Sequence, residues 1–210
     1  MAKKYYVVWE GKNRGVFTSW SVCKKNIDGY SGAKYKSFAD KKMAEKAFRG
    51  TYDEHKGLST KKKELTAQEK KAYGKPILDT IAVDAACSGN PGKMEYRGVA
   101  TSTGTQLFIQ GPYKSGTNNI GEFLALVHGL AWLQQKKQPN LPIYSDSRIA
   151  ISWVKQRKCK TKLPLNKNTE VLFDLIKRAE LWLKKNPYQN PILKWETKAW
   201  GEIPADFGRK

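Results

Sequence analysis

The chain opens on Tyr5-Tyr6-Val7-Val8-Trp9, an unbroken β-branched and aromatic run that predicts a strand. The polar stretch Glu10 to Gly15 predicts a turn, and Val16-Phe17-Thr18 resumes extended structure. Ser19 stands where a cap is expected for a helix over Trp20 to Ile27, which Gly29 and Gly32 bring to an end. Lys34 to Phe38 predicts a second short strand. Asp40 to Phe48 predicts a second helix, with Met43, Ala44, Ala47 and Phe48 on one face. The pattern then fades. Residues 50–76 place Lys61-Lys62-Lys63 and Lys70-Lys71 among Glu, Gln, Thr and Ala, which predicts a basic linker, partly helical at best.

Periodicity returns at Ile77. Ile77 to Ala85 predicts a strand, and Arg97 to Thr101 and Thr105 to Gly111 predict two more, joined at Thr103-Gly104. Glu122 to Gln135 carries Phe123, Leu126, Leu130 and Leu133 at helical spacing. Pro142 to Tyr144 predicts a short strand, Ser147 to Lys155 a helix, Asn168 to Lys184 a longer helix, and Ile192 to Thr197 a last strand. Three strands in meander followed by alternating helices and strands predict an α/β domain with one mixed sheet and helices packed on it. The expected organisation is therefore a small α/β domain at 1–49, a linker at 50–76 and a larger domain at 77–210.

Charge narrows the partner. There are 39 basic and 19 acidic residues among 210, a formal net charge of +20. So one-sided a balance points to a polyanion, because Lys and Arg release counterions condensed on phosphate backbones. Both halves share it: 19 basic and 8 acidic residues in 1–76, and 20 and 11 in 77–210. No apolar run suits a signal peptide or a membrane helix, so the expected location is the cytoplasm, with no membrane partner. Cys23, Cys87 and Cys159 are odd in number and far apart, which predicts reduced thiols and neither a disulfide nor a zinc framework. His55 and His128 sit in no ligand pattern.

Four carboxylates stand out by position. Asp84 comes late in a strand, before Ala85-Ala86-Cys87-Ser88-Gly89-Asn90-Pro91-Gly92. Glu122 opens a helix after Thr117-Asn118-Asn119-Ile120-Gly121. Asp146 follows a short strand in Tyr144-Ser145-Asp146-Ser147, and Asp206 lies in Pro204-Ala205-Asp206-Phe207-Gly208. Singly, each is explained as well by a turn cap, a first-turn helix charge or an N-cap.

Together, in this order and spacing, these motifs resemble the type 1 ribonuclease H family over residues 77–210. The resemblance implies a ribonuclease H-like fold: a five-stranded mixed sheet flanked by helices, with the four carboxylates gathered at one edge. It further implies two Mg²⁺ ions, with Mn²⁺ as a substitute, and hydrolysis of the RNA strand of an RNA–DNA hybrid to 5′-phosphate and 3′-hydroxyl ends. Asp84 would serve both ions, Glu122 and Asp146 one, and Asp206 the other. Many members carry a histidine loop before the last aspartate. Here Trp200-Gly201-Glu202-Ile203-Pro204-Ala205-Asp206 has none and resembles a subgroup in which a glutamate, Glu202 here, takes that role. The hybrid's 2′-hydroxyls would be read by Gly89, Asn90 and Asn118, and a DNA phosphate held by Thr117 and Asn119 with help near Thr161. Arg148, where relatives often have glutamine, would face the minor groove. No small-molecule cofactor is expected, and the expected state is a monomer.

The N-terminal motifs, Tyr5-Tyr6-Val7-Val8, Gly15-Val16-Phe17 with Ser19-Trp20, and Gly32 to Phe38, resemble a hybrid-binding domain attached to this family. That resemblance places Trp20 and Tyr35 on DNA sugars and Tyr6 and Lys36 at phosphates. Without it, both aromatics would read as core residues. Two rivals share parts of the pattern: integrases and transposases, which use the same sheet, and a binding protein without catalysis.

Overall fold

The computed structural model describes residues 4–56 and 65–208, which fall into two compact units divided between residues 64 and 65. The basic run Lys61 to Lys63 of the expected linker lies outside the described residues.

In the first unit β1 (Tyr5–Glu10) is the central strand, flanked by β2 (Gly15–Phe17) and, after helix α1 (Trp20–Ile27), by β3 (Lys34–Phe38), both antiparallel to it. Alternation sends Val7 to one face, where it is buried with Trp9, Phe38, Ala44 and Ala47. The last two come from α2 (Lys41–Arg49), capped by the Asp40 carboxylate, which accepts from the Met43 amide at 2.8 Å. Ala44, Ala47 and the half-buried Phe48 form the stripe. Met43, one residue earlier and so about 100° round the helix, is 59% exposed. Residues 50–56 of the expected linker are built into this unit. A single-turn helix α3 (Tyr52–His55) sets the rings of Tyr52 and His55 5.6 and 5.8 Å from Trp9. The Trp9 indole donates to Ala47 O and Gly50 O, and the Lys36 ammonium donates to His55 O at 2.6 Å.

The second unit begins with α4 (Ala67–Ala72) and continues through β4 (Ile81–Cys87), β5 (Gly92–Ala100), β6 (Gln106–Gly116), α5 (Asn118–Gln135), β7 (Ile143–Ser145), α6 (Arg148–Lys155), α7 (Glu170–Lys185), β8 (Ile192–Lys194) and α8 (Thr197–Trp200). The strand order is β6-β5-β4-β7-β8. The first three are antiparallel, and β7 and β8 run parallel to β4, so the sheet is mixed and five-stranded. Only the parallel pairs need crossovers, and the helices supply them.

The two faces of this sheet differ. One buries Ile81, Val83 and Ala85 under α5, which is buried on nearly every side because α6 and α7 pack outside it. The other holds Ala82, Val99 and Tyr144 under Trp195, Ile203 and Ala205 from the end of the chain. Trp195, Trp200 and Tyr144 pack edge to face at 5.2–6.0 Å. The segment before β4 closes over them: Trp200 Nε1 donates to Gly74 O at 2.9 Å, and the Ile77 amide donates to Tyr144 OH. Residues 65–76, read as linker, are built into this unit. Ile77 and Leu78 are half exposed, and a turn at Thr80 delays the strand to Ile81. At the other end, β8 stops at Lys194, and Thr197 begins α8 where the sequence predicts strand.

Candidate active site

Asp84 is on β4, on the face covered by the chain's end, and Glu122 is on α5. Glu122 does not open that helix: Thr117 caps it, and Glu122 stands a full turn in. What brings the two together is Gly121. A Cβ there would lie 2.6 Å from the Ala85 Cβ, so its absence allows α5 to press against β4. Asp146 follows β7, the strand parallel to β4, and the cap of α6 is Ser147, whose hydroxyl accepts from the Ala150 amide. Asp146 is therefore released from the capping role that position suggests. One carboxylate oxygen from each of Asp84, Glu122 and Asp146 lies within 4.8 Å of the other two.

Such a cluster is electrostatically unfavourable in isolation. Burial, then the neighbouring charge of Asp146, pushes the Asp84 pKa up to about 8. Burial raises Glu122 to about 7, against a hydrogen bond from Ser147 that favours the anion. Asp146 is raised by burial and eased by the Lys194 ammonium. Asp206 reaches the same place from the chain's end: it lines a cleft of about 750 Å³ with Asp84 and Asn118, and its charge raises both Asp84 and Asp146. Glu202 is exposed, and its charge raises Asp146. The donors are all hard carboxylate oxygens crowded in a partly dry cleft, a set that fits a divalent cation such as Mg²⁺ and would be relieved by one.

The expected substrate residues separate into groups. Asn90, Thr117, Asn119 and Thr161 line one cavity of about 440 Å³, joined by Lys160 and Lys162. The loop carrying Thr161 is fixed from α7: the Glu180 carboxylate accepts from the Cys159 amide at 3.0 Å and pairs with Lys158 at 2.8 Å. Gly89 shapes the turn beside Asn90 with a φ of +151°. Asn118 faces the carboxylates, donating to Glu122 Oε1 at 2.9 Å. Arg148 lines a separate recess with Lys194 and Glu196. Sequence reasoning missed Lys194; a cation directly after an apolar strand pair carries no signal until β8 is paired beside β7.

In the first unit Tyr6, Trp20 and Tyr35 form a chain of rings, 5.5 and 5.9 Å between centroids, with Trp20 and Tyr35 more than 40% exposed. Lys36 is not with them. It pairs with Val7 across the ladder and so lies on the Phe38 face, its ammonium on α3.

Comparison with known proteins agrees with this division. Residues 4–48 match the family model described as the ribonuclease H1 N-terminal domain, and residues 79–191 match the model described as RNase H. A ribonuclease H of Desulforamulus reducens is 33% identical over 119 residues, 56% of this chain and 64% of that protein. One of Oleidesulfovibrio alaskensis is 33% identical over 107 residues, 51% of this chain and 68% of that protein. The match thus spans just under two thirds of the first relative's length. The crystal structure of RNase H1 from Halobacterium salinarum covers 55% of this chain and 83% of its own at 21% identity, with a TM-score of 0.37. With more than half of its length matching one family model and a second model matching ahead of it, the chain belongs to the ribonuclease H family and carries a ribonuclease H1-type N-terminal domain.

Proposed function

We propose that this protein is an endonuclease that hydrolyses the RNA strand of RNA–DNA hybrids, leaving 5′-phosphate and 3′-hydroxyl ends. The observation that carries the reading is the convergence of Asp84, Glu122 and Asp146 within 4.8 Å, in a family whose name describes that activity. Asp84, Glu122, Asp146 and Asp206 would hold two Mg²⁺ ions, Asp84 serving both, Glu122 and Asp146 one, and Asp206 the other. When bound, such ions activate the attacking water and stabilise the leaving 3′-oxygen in an in-line displacement, and Mn²⁺ can take their place. Asn118 holds Glu122 in register from the preceding turn. Glu202, exposed beside Asp146, takes the place of the histidine loop of other members.

Substrate discrimination rests on Gly89, Asn90 and Asn118 for the 2′-hydroxyls and on the Thr117, Asn119 and Thr161 cavity for a DNA phosphate, with Lys160 and Lys162 adding charge there. Arg148 faces the minor groove from its own recess. The Tyr6, Trp20 and Tyr35 rings offer the faces on which sugars pack, and Lys36 adds charge from the opposite face. The protein acts as a cytoplasmic monomer. No helix among the described residues is long and apolar enough to cross a membrane.

The test is a hybrid labelled on either strand and incubated with Mg²⁺. Internal cuts confined to RNA are expected, and cuts in DNA or joined strands would refute the reading. Asp146→Asn should abolish cutting while preserving hybrid affinity; retained cutting would remove its proposed role.

A further inference from the structure

Asp206 is carried by a segment without regular structure. After α8 the chain passes through the buried Ile203 and Ala205 to Asp206, Phe207 and Gly208. A carboxylate on such a segment stands at a fixed place only if the backbone on both sides is held. Arg97 holds it. Arg97 is on β5 directly opposite Asp84 in the antiparallel ladder, so the two side chains share a face of the sheet. Its Nε donates to Ala205 O at 2.9 Å and its Nη2 to Asp206 O at 2.6 Å. Its guanidinium carbon lies 4.8 Å from the centroid of the Phe207 ring. One planar group thus grips three successive residues, and the two carbonyls it binds flank the Asp206 α-carbon.

We propose that Arg97 is the positioning residue for Asp206. It ties the fourth carboxylate to the strand beside the first, so that Asp84 and Asp206 approach each other at a set distance. The proposal rests on the catalytic reading of the cleft. Lysine is a point charge on a flexible stem and cannot reproduce a fork that binds two carbonyls while stacking on a ring. Two further hydrogen bonds of Asp206 are local: its amide donates to Ile203 O, and its Oδ2 accepts from the Gly208 amide at 2.8 Å. Ile203 and Ala205 pack on the sheet ahead of it, but apolar packing is non-directional and does not aim the carboxylate that follows.

The test uses Arg97→Ala and Arg97→Lys in the full chain, with two readouts. The first is amide exchange at Asp206 and Gly208 against the Ile143 amide, which bonds Pro191 O within the sheet edge. The second is cutting of a labelled hybrid across a Mg²⁺ series. For Arg97→Ala we expect faster exchange at Asp206 and Gly208 with Ile143 unchanged. We also expect kcat lower by about 10–100-fold, the Mg²⁺ concentration for half-maximal rate raised by about tenfold, and KM for the hybrid within about twofold of the parent. Arg97→Lys should recover less than half of the lost kcat, and it decides alone if the alanine variant does not fold. A kcat and Mg²⁺ midpoint close to the parent, or full recovery with lysine, would overturn the proposal. Cutting absent from the parent itself would instead remove the proposed function. The exchange of Asp206 and Gly208 in Arg97→Lys would then decide whether the arginine holds the tail, and exchange equal to the parent's would overturn that too.

Discussion

The two units display their most distinctive side chains in opposite ways. The first exposes rings: Trp20 on α1 and Tyr35 on β3 are each more than 40% exposed, on the side of the sheet away from the Trp9 cluster. The second hides charge: Asp84 and Glu122 are each less than 10% exposed, within a few ångströms of Asp146, in a protein of net charge +20. Open aromatics cost little and suit contact with a surface. Buried carboxylates cost stability and persist where chemistry needs them. In the proposed function this difference would separate binding from catalysis more sharply than charge does, since both halves of the sequence are basic.

The sharpest way to break that contrast is Asp84→Asn, which should lower cutting by at least about 10³-fold, as removal of a principal metal ligand does, while raising stability. The sign follows from the pKa values. Asp84 and Glu122 ionise near 8 and 7 in the fold and near 4 when unfolded. The cation-free fold therefore holds more protons than the unfolded chain between about pH 4 and pH 8. The contribution of these groups to stability is largest below that window, falls as pH rises through it and is flat above. In chelator, denaturant melts of the parent and Asp84→Asn should diverge with rising pH, the variant being more stable by about 2 kcal/mol or more at pH 7. Equal stability across the window would contradict the burial of that charge.

Next in size is where the units divide. Removing residues 1–64 should leave the catalytic unit intact and raise KM on long hybrids, by loss of the second binding module. Removing 1–76 also strips the cover from Trp200 and Tyr144 and should cost about a further 1–3 kcal/mol in a denaturant melt. Equal melts for the two truncations would mean that α4 and Gly74 contribute nothing. Smaller again, Trp20→Ala should weaken hybrid affinity about tenfold, measured by titration in the Asp146→Asn background, and leave kcat unchanged when made alone. Lys36→Ala should weaken it less, because the Lys36 ammonium is engaged with His55 O behind the rings. An effect larger than that of Trp20→Ala would reverse the assignment of the binding face.

The pattern of apolar positions predicted the order of the strands and of α1, α2, α5, α6 and α7, and not the short helices α3, α4 and α8. It also predicted α5 from Glu122 onward and the mixed character of the second sheet, because regularly spaced apolar residues are legible even in a helix buried on nearly every side. The carboxylates were legible as motifs in order along the chain, and as neighbours only through the family resemblance. Their proximity depends on Gly121 admitting α5 to β4 and on β7 pairing parallel to β4, neither of which leaves a local trace. Other features were decided by tertiary structure alone. Residues 50–56 and 65–76 read as linker because their anchors, Trp9 in one unit and Trp200 in the other, are about 40 to more than 120 positions away in the chain. Lys36 reads as a neighbour of Tyr35, yet alternation along β3 puts it on the opposite face. Arg97 and Asp206 are 109 residues apart. A side chain that binds backbone carbonyls selects a conformation and not a residue type, so no pattern in the sequence records it.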